Sequence, residues 1–236
     1  MENAIKKLGL LGGMSWESTV SYYQAINRGI NTRLGGLHSA SLIISSVDFA
    51  HIERLQHKGE WDKTADILIC EAKHLEAAGA KAVLICTNTM HKVAANIEQN
   101  ITIPLIHIAD ATGRKLQHNK VKKVGLLGTR FTMEQTFYTS RLEDVFNIEV
   151  VTPNAQQRDI VHNIIYEELC KGVICIESRN AYIEIINALE AEGAEGIILG
   201  CTEIALLVQQ HHTKVKLYDT TAIHAAAAVD FALSPQ

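Results

Sequence analysis

Two residues at matching points of a repeated pattern carry the chemistry this sequence offers: Thr87 in Cys86-Thr87-Asn88-Thr89 and Cys201 in Gly200-Cys201-Thr202-Glu203. A thiol supplies a strong base as its thiolate, and a hydroxyl donates or relays a proton. Placed on opposite faces of one carbon, such a pair removes a proton from one side and returns one to the other. Asn88, Thr89, Thr129 and Thr202 add amide and hydroxyl donors suited to a carboxylate and to the negative charge that builds on it in a transition state. The helix expected after Cys201 favours the thiolate through its N-terminal N–H groups. Glu203 caps that helix, polarises the thiol, or does both.

The pairing of Thr87 with Cys201 comes from an internal repeat. Lys6–Gly12 recurs as Lys122–Gly128, with Gly9 matching Gly125 at an offset of 116. Ala78–Ile85 recurs as Glu192–Leu199, with Gly79 matching Gly193 at an offset of 114. The second offset lays Cys86 on Gly200 and Thr87 on Cys201. Cys86 is the obvious partner thiol, but a shift of one residue along a strand turns a side chain to the other face. Two matches in the same order imply two similar halves related by a pseudo-two-fold axis, with the active site in the cleft between them.

Positioning these residues requires alternating strands and helices. Leu-rich and β-branched runs at Ile5–Leu11, Ala40–Ser46, Ala82–Cys86, Leu105–Ile108, Val124–Leu127, Ile148–Val151, Gly196–Leu199 and Val215–Tyr218 read as strands. Helical periodicity fills Ser15–Leu34, Trp61–Ala78, Met90–Asn96, Met133–Val145, Gln156–Lys171 and Glu177–Ala191, and Thr221–Leu233 reads as a closing helix. The pattern predicts an α/β protein of two parallel-sheet domains, residues 1–113 plus 221–236 and residues 114–220. Open parallel sheets bind ligands beyond the carboxyl ends of their strands, where all of these motifs fall.

Composition narrows the function classes. The 236 residues contain no apolar run of 18, so no membrane span is expected. Met1–Lys7 leads into a strand without the apolar region of a signal peptide. Five cysteines without a C-x-x-C pair suit reduced thiols in a cytoplasm and give no zinc site. Cys70, Cys170 and Cys175 read as small core residues. The eleven histidines are scattered and no metal is expected; His91 and His107 read as structural, or as bordering the pocket. A net charge of −4 and a pI near 6.3 argue against a nucleic-acid partner. Gly12-Gly13 follows a strand, but neither G-x-G-x-x-G nor a Walker lysine is present, which excludes the usual nucleotide loops.

The segments Gly9–Ser18, Cys86–His91 and Gly200–Glu203 resemble the signatures of aspartate/glutamate racemases, in particular the L-aspartate/glutamate-specific branch. The likeness spans essentially the whole chain, including Gly35–Ala40 and His107–Thr112. It implies a cytoplasmic homodimer that acts on L-aspartate, L-glutamate or both without pyridoxal phosphate or any other cofactor. It further implies that Met14 and Gln56 line the substrate pocket and that Lys171 receives the distal carboxylate. In that family the first motif reads Cys-Asn-Thr. Here Thr87-Asn88-Thr89 replaces thiol by hydroxyl, which predicts lopsided chemistry. Three other readings stay open: a non-catalytic dicarboxylate-binding module, a maleate isomerase or arylmalonate decarboxylase, and a hydantoin racemase.

Overall fold

The computed structural model describes residues 5–235. Met1–Ala4, on which part of the signal-peptide expectation rests, and Gln236 lie outside the described residues. The chain divides into two compact units, Met1–Ile108 with His224–Gln236, and Ala109–Ile223.

The first unit contains β1 (Leu8–Gly12), α1 (Trp16–Leu34), β2 (Leu42–Ser46), α2 (Phe49–His57), α3 (Trp61–Ala77), β3 (Ala82–Ile85) and α4 (Ala94–Glu98). Its parallel strands run in the order β2-β1-β3, with Leu8 beside Leu42 and Ala82. β1 and β3 are buried along their whole length, as continuous apolar runs in a covered parallel sheet should be. Strand alternation sends Leu8, Leu10, Leu84 and Cys86 to one face, where Tyr22, Ile26 and Ile30 of α1 pack at helical spacing. Leu11, Val83 and Ile85 face the other way, against Leu68, Ala72 and Leu75 of α3. Each fully buried Leu or Ile in these layers contributes about 1.5–3 kcal/mol.

The second unit holds most of α5 (Ile108–His118), then β4 (Lys123–Leu127), α6 (Arg130–Glu134), α7 (Thr136–Phe146), β5 (Glu149–Val151), α8 (Ala155–Glu167), α9 (Ile176–Ala191), β6 (Ile197–Leu199), α10 (Ile204–Leu207) and β7 (Leu217–Asp219). Its parallel order is β5-β4-β6-β7. The last helix, α11 (Thr220–Leu233), carries the chain back into the first unit, where Ala225, Ala228, Val229 and Ala232 join the α1 face of the core.

The sequence repeat is a repeat of strand order and register. β4 sits between β5 and β6 as β1 sits between β2 and β3. The N–H of Cys86 donates to the Leu11 carbonyl at 2.9 Å, and the N–H of Gly200 donates to the Leu127 carbonyl at 2.6 Å. Gly9 and Gly125 match as well. A Cβ on Gly9 would stand 3.0 Å from Cβ of Leu75 in α3, and one on Gly125 would stand 2.5 Å from Cδ1 of Ile197 in β6 and 3.0 Å from Cδ1 of Leu189 in α9. Each glycine lets neighbouring side chains, a helical leucine among them, approach the strand closely.

Several expected elements differ. Leu105–Ile108 is not a strand: only Leu105 bridges Val83, and α5 begins at Ile108. A four-residue apolar run fits a buried strand or a helix start equally well. Met90–Asn96 splits into a 3-10 turn, Thr89–Val93, and α4. α8 ends at Glu167, and Leu169–Lys171 forms a separate 3-10 turn closed by Gly172 at φ 74°. Phe49–His57 and Ile108–His118 are helices that strand-and-motif reading passes over. Among the described residues no helix is long and apolar enough to cross a membrane.

Candidate active site

In the first unit, two loops meet at the carboxyl ends of β1 and β3. Ser15 caps α1 by accepting the Ser18 N–H at 3.2 Å, and the Gly13 N–H donates to Thr19 Oγ1 at 2.8 Å. The Ser18 hydroxyl then donates to the Cys86 carbonyl at 2.7 Å, tying the first turn of α1 to the loop after β3. Thr87 is half-buried in that loop, and Asn88 and Thr89 are buried. Met14 packs into the core, and Gln56, near the C-terminal end of α2, is also buried.

Cys86 sits among Leu8, Leu10 and Tyr22, and burial pushes its thiol far above the usual cysteine range. It is therefore a packing residue. Cys86→Ala is expected to keep activity within a few-fold while costing about 1–2 kcal/mol of stability. Initial rates and urea midpoints check this. An activity loss as large as that of Cys201→Ala would mean that the wrong cysteine has been given the chemistry.

In the second unit, Thr129 follows β4 and caps α6, its hydroxyl accepting the Thr132 N–H at 3.4 Å. Beyond β6, the half-buried Cys201 thiol donates to Glu203 Oε2 at 3.0 Å, and the Thr202 hydroxyl donates to the same oxygen at 2.5 Å. This corrects two expectations. Glu203 makes no side-chain capping bond to α10. The thiol is not held as a thiolate by a helix N-terminus either, because α10 has only four residues. Burial and then the Glu203 charge push the Cys201 thiol well above its ordinary range. Its resting form is a thiol hydrogen-bonded to the buried Glu203 side chain.

Lys171 lies in the Leu169–Lys171 turn with its ammonium 2.5 Å from Glu167 Oε2, both side chains largely exposed. A cavity of about 350 Å³ opens beside β7, lined by Leu199, Val208, Lys216 and Asp219 among others. Burial raises the Asp219 carboxyl, which accepts the Thr221 and Ala222 N–H groups at 2.9 and 3.1 Å. Among the described residues, Cys70, Glu71 and His74 could together hold a metal ion; they lie on α3 rather than at a strand end.

A buried histidine group is the feature that residue types alone leave unread. His91, His107 and His224 are each under 5% exposed. The His91 ring lies 4.5 Å from that of His107 and 5.8 Å from that of His224. Tyr22 donates its hydroxyl to His224 Nδ1 at 2.8 Å, while His224 Nε2–H donates to the Ile106 carbonyl at 2.6 Å. The only pointer in the sequence is the four-residue step from Thr87 to His91.

Two parallel-sheet α/β units with matched loops at their strand ends define the fold of two-domain Asp/Glu racemases. The aspartate racemase of Picrophilus torridus superposes with a TM-score of 0.80 over 96% of this chain and 94% of its own, at 22% identity. The profile of the Asp/Glu/hydantoin racemase family matches residues 11–228, and the chain belongs to that family of isomerases. A candidate Asp/Glu racemase from Yersinia pestis is 55% identical, with a TM-score of 0.92 over 97% of this chain and all of its own. An aspartate racemase homologue from Pyrococcus horikoshii OT3 is 34% identical, with a TM-score of 0.86 over the same shares. A broad-specificity amino-acid racemase of Bacillus subtilis (strain 168) is 22% identical over 74% of this chain and 75% of its own.

Proposed function

We propose that this enzyme racemises L-aspartate and L-glutamate without pyridoxal phosphate or a metal, with Cys201 working on one face of Cα and Thr87 on the other. The observation that supports this most directly is the matched pair of backbone bonds, Cys86 to Leu11 and Gly200 to Leu127. Thr87 and Cys201 then follow as equivalent positions, each two residues past the end of its strand. In this scheme the Cys201 proton passes to Glu203, and the thiolate takes the Cα proton of the L-enantiomer. The Asn88 amide and the Thr89 hydroxyl stabilise the charge that spreads onto the α-carboxylate. Thr87 relays a solvent proton to the opposite face, and the abstracted proton leaves Cys201 for solvent, so the count balances. Met14, Gln56 and Thr129 shape the pocket in this scheme, and Lys171 exchanges Glu167 for the distal carboxylate. Thr202 acts through its bond to Glu203. The proposal extends to a cytoplasmic homodimer, in keeping with five cysteines that are all free thiols.

The test is solvent deuterium incorporation at Cα of L-aspartate and L-glutamate in D₂O, followed together with loss of optical activity. Deuterium at Cα with slow appearance of the D-form is expected. Binding of either amino acid without exchange would replace the racemase by a dicarboxylate-binding module.

Glu203 gives a separable prediction. Its charge disfavours a neighbouring thiolate, yet its oxygen is where the thiol proton goes. Glu203→Gln is expected to lower kcat about 10²-fold through loss of the acceptor. It should also move the ascending limb of the pH–rate profile to higher pH, because the buried thiol must then lose its proton to solvent instead of passing it to Glu203. A limb that stays in place would show that Glu203 does not govern the ionisation of Cys201.

A further inference from the structure

One imidazole bonds the loop backbone at Thr87 itself. His91 Nδ1 lies 2.8 Å from the Thr87 carbonyl oxygen, and a carbonyl only accepts, so Nδ1 bears the proton. Nε2 therefore carries the lone pair, and it accepts the Ile108 N–H at 3.2 Å. That N–H belongs to the first residue of α5, one of the donors a helix start leaves without an intrahelical partner. The two bonds are compatible only with the neutral Nδ1–H tautomer. A proton on Nε2 would face another N–H across 3.2 Å.

The surroundings hold that state. Burial, and then the neighbouring His107 and His224 rings, keep His91 well below the usual histidine range. His224 spans Tyr22 and Ile106 in the opposite tautomer, with Nε2 protonated. His91 and His224 thus bracket Ile106–Ile108 from two sides, and the His107 ring stacks edge-on to His91 at an interplanar angle of 65°. The backbone of the Thr87 loop is anchored to this group at Thr87, beside its bonds at Cys86 to β1 and to Ser18.

We infer that His91 is a positioning residue for Thr87: its Nδ1–H holds the Thr87 carbonyl and thereby aims the hydroxyl that delivers the second proton. The inference rests on the proposed role of Thr87. It separates the two halves of the reaction, because the His91 ring bonds run to Thr87 and Ile108 of the first unit, whereas Cys201 and Glu203 belong to the second. Misplacing a reacting group by about 1 Å costs on the order of 10²-fold in rate.

The test uses two amide replacements that each imitate one ring nitrogen. Gln reaches the Nε2 position and keeps an acceptor for Ile108, whereas Asn reaches the Nδ1 position and keeps a donor for Thr87. His91→Gln is expected to slow inversion of L-aspartate by about 10- to 100-fold. Its Cα–deuterium exchange on the L-face, which Cys201 performs, should stay within a few-fold of wild type. His91→Asn should retain inversion within a few-fold. The double variant Thr87→Ala with His91→Gln should invert no more slowly than Thr87→Ala alone, since the second change acts only through Thr87. A merely structural histidine would slow exchange and inversion together in both variants, and that result overturns the inference. Normal inversion in folded His91→Gln, beside a slowed Thr87→Ala, removes the role of His91 and leaves that of Thr87. Should His91→Gln not fold, slow inversion by folded His91→Asn is equally fatal. Unchanged inversion in Thr87→Ala removes both.

Discussion

Cys201→Ala is expected to lose both Cα–deuterium exchange and racemisation of L-aspartate and L-glutamate, each by about 10³-fold, within the range that a positioned general base supplies. The cause is chemical, not structural. Cys201 is half-buried and small, at the end of a strand whose register is set by the Gly200–Leu127 backbone bond, and alanine leaves that bond intact. Fold and stability should therefore change little, and circular dichroism and the urea midpoint check that they do. What disappears, on the proposed mechanism, is the group whose proton Glu203 accepts, along with the base that faces the L-substrate. Cys201→Ser tests whether the thiol itself is needed. A hydroxyl can still donate to Glu203, but its basic form is far harder to reach, so the serine variant should be nearly as slow. Substantial exchange in either variant would move the L-face base to another residue.

The parts of this molecule legible in sequence are those where one physical demand dominates. β1, β4 and β6 have strands on both sides and β3 is buried along its whole length, so almost every residue is apolar and the runs stand out. Gly9 and Gly125 mark the repeat because neighbouring side chains crowd the Cβ position in both units. The one-residue distinction between Cys86 and Thr87 follows from strand alternation, and the burial of Cys86 against α1 agrees with it. Competing demands hide the rest. The Leu105–Ile108 run satisfies a bridge to Val83 and the start of α5 at once, so periodicity cannot choose between them. Glu203 precedes a helix, which suggests a cap, but a thiol and a hydroxyl beside it claim its carboxylate. The bond from His91 to Thr87 is local, whereas its second bond, to Ile108, depends on a tertiary approach that no spacing records.

Thr87→Cys is expected to convert a one-sided enzyme into a two-sided one. L- and D-aspartate have equal free energy, so kcat/KM for racemisation must be the same from either enantiomer. The difference between a thiol and a hydroxyl cannot appear as preferred net conversion; it appears in the partial reactions. On the proposed mechanism, the Cys201 pair removes the Cα proton of L-aspartate, exchanges it with solvent and returns deuterium to the same face. Crossing to the other face waits for Thr87, whose neutral hydroxyl is poorly matched to proton transfer at carbon near neutral pH. Wild-type enzyme in D₂O should therefore exchange L-aspartate with retention about 10²-fold faster than it inverts it. D-aspartate should show neither fast exchange nor fast inversion, because its proton faces Thr87. Cysteine at position 87 supplies an ionisable group on that face, in a half-buried loop whose backbone is held by His91 and by the Ser18 bond to Cys86. In Thr87→Cys, inversion of L-aspartate should rise towards the rate of exchange, and D-aspartate should exchange and invert comparably. Proton NMR of Cα with chiral chromatography on the same samples measures all four rates. Equal wash-in from both enantiomers by the wild-type enzyme would mean that Thr87, or a group acting in its place, is already a competent base on the D-face.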